Sequence, residues 1–187
     1  MELETLYVTT RAEWRKWLSQ HFSNKHEIWL IYPHKSSGKP VIEYNTAVEE
    51  ALCFGWIDSL RKSFDDDHSI QKFSVRKERS GYSQLNRERL KRLLKRDMIH
   101  SSIIDKVKEV LKEEFIFPQD ILDQLKADEE VWQNYQEFSG PYKRIRIAYI
   151  ETARKREEIF QQRLNNFIKH TKANKLVKGF GGTDKYY

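Results

Sequence analysis

The chain has 187 residues, 33% of them charged and 13% aromatic, and 34 Lys and Arg against 28 Asp and Glu give it a net charge of +6. A chain of this length buries roughly 70% of the surface its unfolded form exposes, so it needs neither disulfide nor metal to fold, and its aromatic content excludes a disordered polymer. The single Cys53 excludes a disulfide framework and any multi-cysteine zinc or iron–sulfur site.

The first residues, Met-Glu-Leu-Glu, lack the basic-then-apolar order of a signal peptide. No apolar run approaches the ~20 residues that a membrane helix requires. The expected compartment is the cytoplasm, without membrane insertion. The positive charge is unevenly spread: residues 1–140 carry 22 basic against 24 acidic side chains, and residues 141–187 carry 12 against 4. A local run from Arg76 to Arg96 adds nine basic residues against Glu78 and Glu88. Acidic and basic helices that pack on and screen one another explain this alternation more simply than nucleic-acid affinity does.

Thr10 and Glu13 have the spacing of a capping box, which predicts a helix from about Arg11 with Trp14, Trp17 and Leu18 on one face. Glu27 to Pro33 is a β-rich run, and the turn-forming Ser36 to Pro40 and the short run Val41 to Tyr44 after it predict a hairpin. Thr46 and Glu49 repeat the capping-box spacing before a short buried helix, with Gly55 where a C-terminal cap needs positive φ. Trp56 to Phe64 and Ile70 to Val75 read as a second hairpin around the polar Asp65 to Ser69, with Trp56, Asp58 and Leu60 on one face. From Ser83, a helix N-cap, everything reads as helical. Helices follow to about Arg96, over Ile103 to Glu114, and from the Pro118/Asp120 start. Another carries Val131, Trp132, Tyr135 and Phe138, and after Ser139-Gly-Pro141 one long amphipathic helix runs for some 28 residues from Tyr142. The fold class is thus α+β: an N-terminal antiparallel sheet of about four strands with helices on one face, then an all-helical region. The expected division is an α+β domain over 1–82, a helical region over 83–171 and a flexible tail over 172–187.

Asp58 sits in an apolar run, where an unpaired buried charge costs several kcal/mol, so it requires a partner. Ser80, Ser83, Asn86 and Arg89 recur at every third residue near a helix N-terminus, whose free N–H groups and dipole favour anions. With Arg76 upstream and Trp56 as an apolar wall, these residues form the candidate ligand site, in which Arg76, Asn86 and Arg89 are the donors. If the protein is an enzyme, Asp58 is the candidate acid/base. Cys53 reads as a small buried hydrophobe, and the six histidines show no ligand spacing, so no metal and no cofactor is expected. Arg156 and Arg163 fall in or beside the apolar stripe of the last helix, where an arginine must pair, snorkel or meet a ligand.

The run Cys53-Phe-Gly-Trp-Ile-Asp-Ser59, with Phe73-x-x-Arg76 and Ser80-x-x-Ser83-x-x-Asn86-x-x-Arg89, resembles the bacteriocin-protection, YdeI or OmpD-associated family. The Pro118-x-Asp120 helix start and Ala153-Arg-Lys-Arg-Glu157 resemble its C-terminal helical region. The resemblance implies an α+β N-terminal part loosely similar to YjbR/CyaY-like folds, and a role in protection against bacteriocins, antimicrobial peptides or envelope stress. The expected function is a non-enzymatic cytoplasmic binding protein whose partner is an anionic small molecule or peptide. An enzyme using Asp58, and nucleic-acid binding through the basic C-terminal helix, are the alternatives.

Overall fold

The structure is a computed structural model and describes residues 3–77 and 79–179. The elements are β1 (Thr5–Leu6), α1 (Arg11–His21), β2 (Glu27–Pro33), α2 (Tyr44–Cys53), β3 (Trp56–Ser63), β4 (His68–Val75), α3 (Gln84–Leu94), α4 (Ile104–Lys112), α5 (Gln119–Lys126), α6 (Glu129–Glu137), α7 (Gly140–Glu151) and α8 (Glu157–Lys172). The class is α+β, with a four-stranded sheet followed by a helical C-terminal region. Two compact units divide it: Met1–Gly81 with Arg89–Leu111, and Tyr82–Glu88 with Lys112–Tyr187. The division cuts α3 after its first turns, whereas the sequence suggested a single boundary at 82/83. Among the described residues no helix is long and apolar enough to cross a membrane.

In the first unit the sheet order is β1-β2-β4-β3. β2 runs antiparallel to β4, from Glu27 opposite Ser74 to Pro33 opposite His68. The expected hairpin between β2 and Val41–Tyr44 does not form. Both sides of β2 are already taken, by β4 and by a parallel pairing of Thr5 and Leu6 with Trp29 and Leu30. Residues 41–43 are a loop instead, held by the Ile42 N–H on the Val8 carbonyl at 3.2 Å. The helix after it is capped by Glu43, whose carboxylate accepts from the N–H groups of Asn45 and Thr46, so the Thr46/Glu49 capping box is not the one used. Thr10 and Glu13 do form theirs, and Gly55 takes the expected positive φ of 75°.

The β3–β4 hairpin forms as expected, with one irregularity. Asp58 lies opposite Phe73 and Arg61 opposite Gln71, so β3 carries an extra residue between them. Such a bulge resets the alternation of side chains. It brings Arg61, rather than Leu60, onto the face of Trp56 and Asp58, and Leu60 is exposed. This face is covered by α1 and α2: Trp14 meets Phe73 edge-on at 5.4 Å between ring centroids, Trp17 meets Trp56 at 5.8 Å, and the Trp14 indole donates to the Ala47 carbonyl at 3.0 Å.

α2 is buried from Ala47 to Cys53, including two acids. Glu50 is 0% exposed and accepts from Arg11 Nε and from Arg15 Nη1, the latter at 2.8 Å. Glu49 meets Arg11 and Arg92, each at 3.5 Å. Breaking a buried pair strands a charge, so these arginines tie α1 and α3 to α2.

The second unit has its core among α5 to α8, with Ile121, Val131, Tyr142, Ile147 and Phe167 all buried. Pro141 stands in the first turn of α7 as expected, with Ser139 as the N-cap, but the periodic stretch from Tyr142 is two helices rather than one. Between Glu151 and Glu157 the chain makes three-residue turns, with Ala153, Arg154 and Arg156 donating to the carbonyls of Ile150, Glu151 and Ala153. Ala153 remains fully buried through the break, so the apolar period survives an interruption of the backbone. Part of the expected flexible tail is also packed: Leu176 and Val177 lie against the core, and the Val177 N–H donates to the Tyr142 hydroxyl at 2.9 Å. The remainder, 180–187, lies outside the described residues.

Two outcomes follow for stability. Glu50→Ala lowers it by about 2–3 kcal/mol, below the 3–5 kcal/mol of a fully enclosed pair because Arg11 and Arg15 reach solvent. A urea titration should show a lower midpoint at unchanged slope. In the second unit, hydrogen bonds from Arg154 hold the Asp120 carboxyl below its ordinary value. Its contribution is therefore complete above the unfolded value, about 3.9, and is lost as pH falls through the lower folded value. The stability gap between wild type and Asp120→Asn should accordingly be widest above about pH 4 and close on further acidification.

Candidate functional site

The sequence-predicted site residues take separate places. Trp56 is 0% exposed; its indole donates to the Phe22 carbonyl at 3.1 Å, so its ring belongs to the core of the first unit and lines no surface. Arg76 is half-buried, bonds the Gly55 carbonyl through its N–H at 3.0 Å and holds the Gly81 carbonyl with its guanidinium. Its described role is to shape the loop after β4. Ser80 is exposed on that loop, its N–H on the Lys77 carbonyl. Ser83 and Asn86 belong to the second unit, where the Ser83 hydroxyl accepts the Asn86 N–H at 3.3 Å as the expected N-cap.

Asp58 and Arg89 are brought to the first turn of α2, though not to each other's side chains directly. Asp58 is half-buried and accepts from the Tyr44 hydroxyl; Arg89 is 5% exposed and donates to Asn45 Oδ1 at 2.8 Å. Burial, and then the hydrogen bond to Asp58, push the Tyr44 phenol above its ordinary value, with Arg89 opposing. The neighbouring Tyr32 is 6% exposed, its phenol also raised by burial, and its hydroxyl has no hydrogen-bond partner among the described residues. Arg61 lies over the Tyr32 ring, 5.6 Å from its centroid. The required partner of Asp58 is thus the Tyr44 phenol. Neither Tyr44 nor Asn45 had a sequence signal, because Tyr44 ends what reads as a strand and Asn45 only links it to the next helix.

Cys53 is buried, and burial, with Glu50 second, pushes its thiol up to about 12 despite Arg15 nearby. It is a core side chain with little thiolate at neutral pH. Among the described residues no three His, Cys, Asp or Glu side chains gather as they would around a metal ion. Basic side chains of the C-terminal unit are largely engaged within it: Arg144 pairs with Glu88 at 2.6 Å, Arg154 with Glu151 at 2.6 Å and Lys172 with Asp128 at 2.6 Å.

The second unit also holds a cavity of about 380 Å³, between α7 and α8 and closed on one side by Val177. Ile150, Ile159 and Phe167 supply its apolar wall, Gln162 and Asn166 its exposed amides, and Arg146, Arg163 and Tyr149 its remaining surface. No acid lines it. Arg146 is 4% exposed and donates to the carbonyls of Val177 and Gly179, which fastens the segment after α8. Arg163 stacks on Tyr149, its Cζ 3.8 Å from the ring centroid, and its Nη1 donates to the Tyr149 carbonyl at 2.7 Å and to Thr152 Oγ1 at 2.9 Å. It caps the C-terminal end of α7, where a cation suits the helix dipole. Of the two anomalous arginines, Arg156 is exposed at the start of α8, and Arg163 is the one that the fold uses.

These features define an α+β protein whose helical C-terminal unit carries a cationic, partly apolar cavity. The chain belongs to the family of the domain of unknown function DUF8412, whose model matches residues 6–106. Residues 114–174 match the model of the bacteriocin-protection, YdeI or OmpD-associated family, which bears out the resemblance. That second match covers Pro118, Asp120 and Ala153 to Glu157, while the Cys53 to Arg89 run falls within the first. The chain matches no curated protein and no solved structure.

Tyr44→Phe, which removes one hydroxyl, should cost about 1 kcal/mol, the usual range for a partly exposed hydrogen bond. Asp58→Asn retains an acceptor for that hydroxyl and should cost less. Chemical denaturation of the two variants side by side checks the order.

Proposed function

We propose that the protein is a non-enzymatic binding protein of bacterial stress protection, acting in the cytoplasm against bacteriocins or related peptides, and that its binding site is the cavity between α7 and α8. One observation carries this reading: every lining residue except Val177 falls inside the stretch that matches the bacteriocin-protection family. The cavity lies within the roughly 300–1,000 Å³ typical of pockets that enclose small organic ligands, and it mixes an apolar wall with a few polar groups as such pockets do.

The reading moves the binding function away from Trp56, Arg76 and Arg89. Trp56 is enclosed, and the side chains of Arg76 and Arg89 contribute to internal structure through Gly81 and Asn45. Asp58 with Tyr44 then serves to seat the first turn of α2.

Expression of the wild-type protein in a bacteriocin-sensitive bacterium should raise survival under challenge. Asn166→Trp, at an exposed lining position, fills the cavity mouth without entering the core. It should return survival to that of cells lacking the protein while leaving the melting temperature unchanged. Full protection by a folded Asn166→Trp variant rejects the cavity as the site.

A further inference from the structure

We infer that the α7–α8 cavity takes a small organic monocarboxylate, its carboxylate held by Arg163 and its apolar body lying against Ile150, Ile159 and Phe167. The inference rests on the cavity being the binding site and adds the chemistry of what enters it.

Arg163 is prepared for this role by contacts that use only part of its guanidinium. Both of its hydrogen bonds leave from Nη1, to the Tyr149 carbonyl and to Thr152 Oγ1. The plane is steadied by the Tyr149 ring. Among the described residues Nε and Nη2 have no protein acceptor, and no carboxylate lies within ion-pair reach of Arg163. The Nε–Nη2 edge of a guanidinium presents two parallel N–H groups, the fork that matches both oxygens of one carboxylate. Because stacking and the Nη1 bonds already restrict the side chain, little rotamer freedom remains to be lost when a ligand binds.

Charge decides between a monoanion and a dianion. The Arg163 cation already faces the C-terminal end of α7, which carries roughly half a negative charge. The surplus at this side of the cavity suits a single carboxylate better than a phosphate dianion. Arg146 adds positive potential from the cavity wall while it holds the Val177 and Gly179 carbonyls.

The opposite wall requires the ligand to be amphipathic. Half-buried Ile159 offers apolar surface to the cavity, backed by Ile150 and Phe167, which are 1% and 2% exposed, and a purely polar anion would leave that surface unfilled. A volume of about 380 Å³ lies at the small end of ligand pockets, which favours a compact acid over a long peptide.

The test is calorimetric titration of the full chain with octanoate, 3-phenylpropionate, octan-1-ol, octyl phosphate and inorganic phosphate. At least one carboxylate should bind wild type, about tenfold or more tightly than octan-1-ol, since a hydrogen-bonded charge pair has that worth, and more tightly than octyl phosphate. Arg163→Met should abolish the preference for carboxylate over alcohol, and Arg163→Lys, which keeps the charge but not the fork, should retain part of it. Should Arg163→Met fail to fold, the comparison of probes on wild type and Arg163→Lys still decides. Equal binding of alcohol and carboxylate, unchanged octanoate affinity in Arg163→Met, tighter binding of octyl phosphate, or no binding of either carboxylate overturns the inference. Loss of protection in Asn166→Trp alongside any of these results leaves the cavity as the site and rejects only the ligand class; full protection rejects both.

Discussion

The N-terminal unit depends on two carboxylates placed where carboxylates are costly. Glu49 and Glu50 sit side by side on a helix buried along most of its length, and an acid in that position persists only with cationic partners at hand. Arg11 and Arg15 reach them from α1 and Arg92 from α3. The ion pairs therefore specify which helices meet α2 and in what rotation. The apolar contacts of Trp14, Trp17 and Phe73 supply the bulk of the burial. Apolar packing tolerates sliding between helices, whereas a bonded pair of buried charges does not.

In the C-terminal unit one arginine joins local structure to the cavity. The break after Glu151 leaves the last carbonyls of α7 without partners in a continuing helix. Arg163 answers one of them from α8, two turns beyond the break, and stacks on the residue that bears it. The same placement puts a cation on the wall of a cavity lined by no acid among the described residues. An unbroken helix from Tyr142 would have left Arg163 on an apolar stripe and given α7 and α8 no chance to enclose a space. Arg146 has a parallel role on the other helix, fastening the chain after α8 against the cavity.

Legibility in the sequence followed the range of the interaction. The Thr10 box, the Gly55 cap, the Ser83 N-cap, the first-turn Pro141 and the β3–β4 hairpin are all settled within a few residues, and each is found where the sequence places it. The 41–44 strand is absent because β1, with only two residues, and β4 already occupy β2, a competition between segments far apart in the chain. The β3 bulge moved Arg61 onto the face expected for Leu60, since alternation assumes an unbroken ladder. Of the proposed site, Asp58 and Arg89 do approach the same helix turn, but through Tyr44 and Asn45. The cavity residues gave a single signal, the misplaced charge of Arg163.

The sequence by itself determined the α+β class, the mainly helical character of residues 84–172, the family resemblance and the inert burial of Cys53. Composition, periodicity and capping are local properties, and local properties are written residue by residue. Only the tertiary structure decided that the periodic stretch from Tyr142 is two helices, that Glu50 is a buried hub and that a cavity opens between α7 and α8. Each of these depends on which distant group satisfies a buried charge or a free carbonyl, and that choice is made when the chain closes on itself.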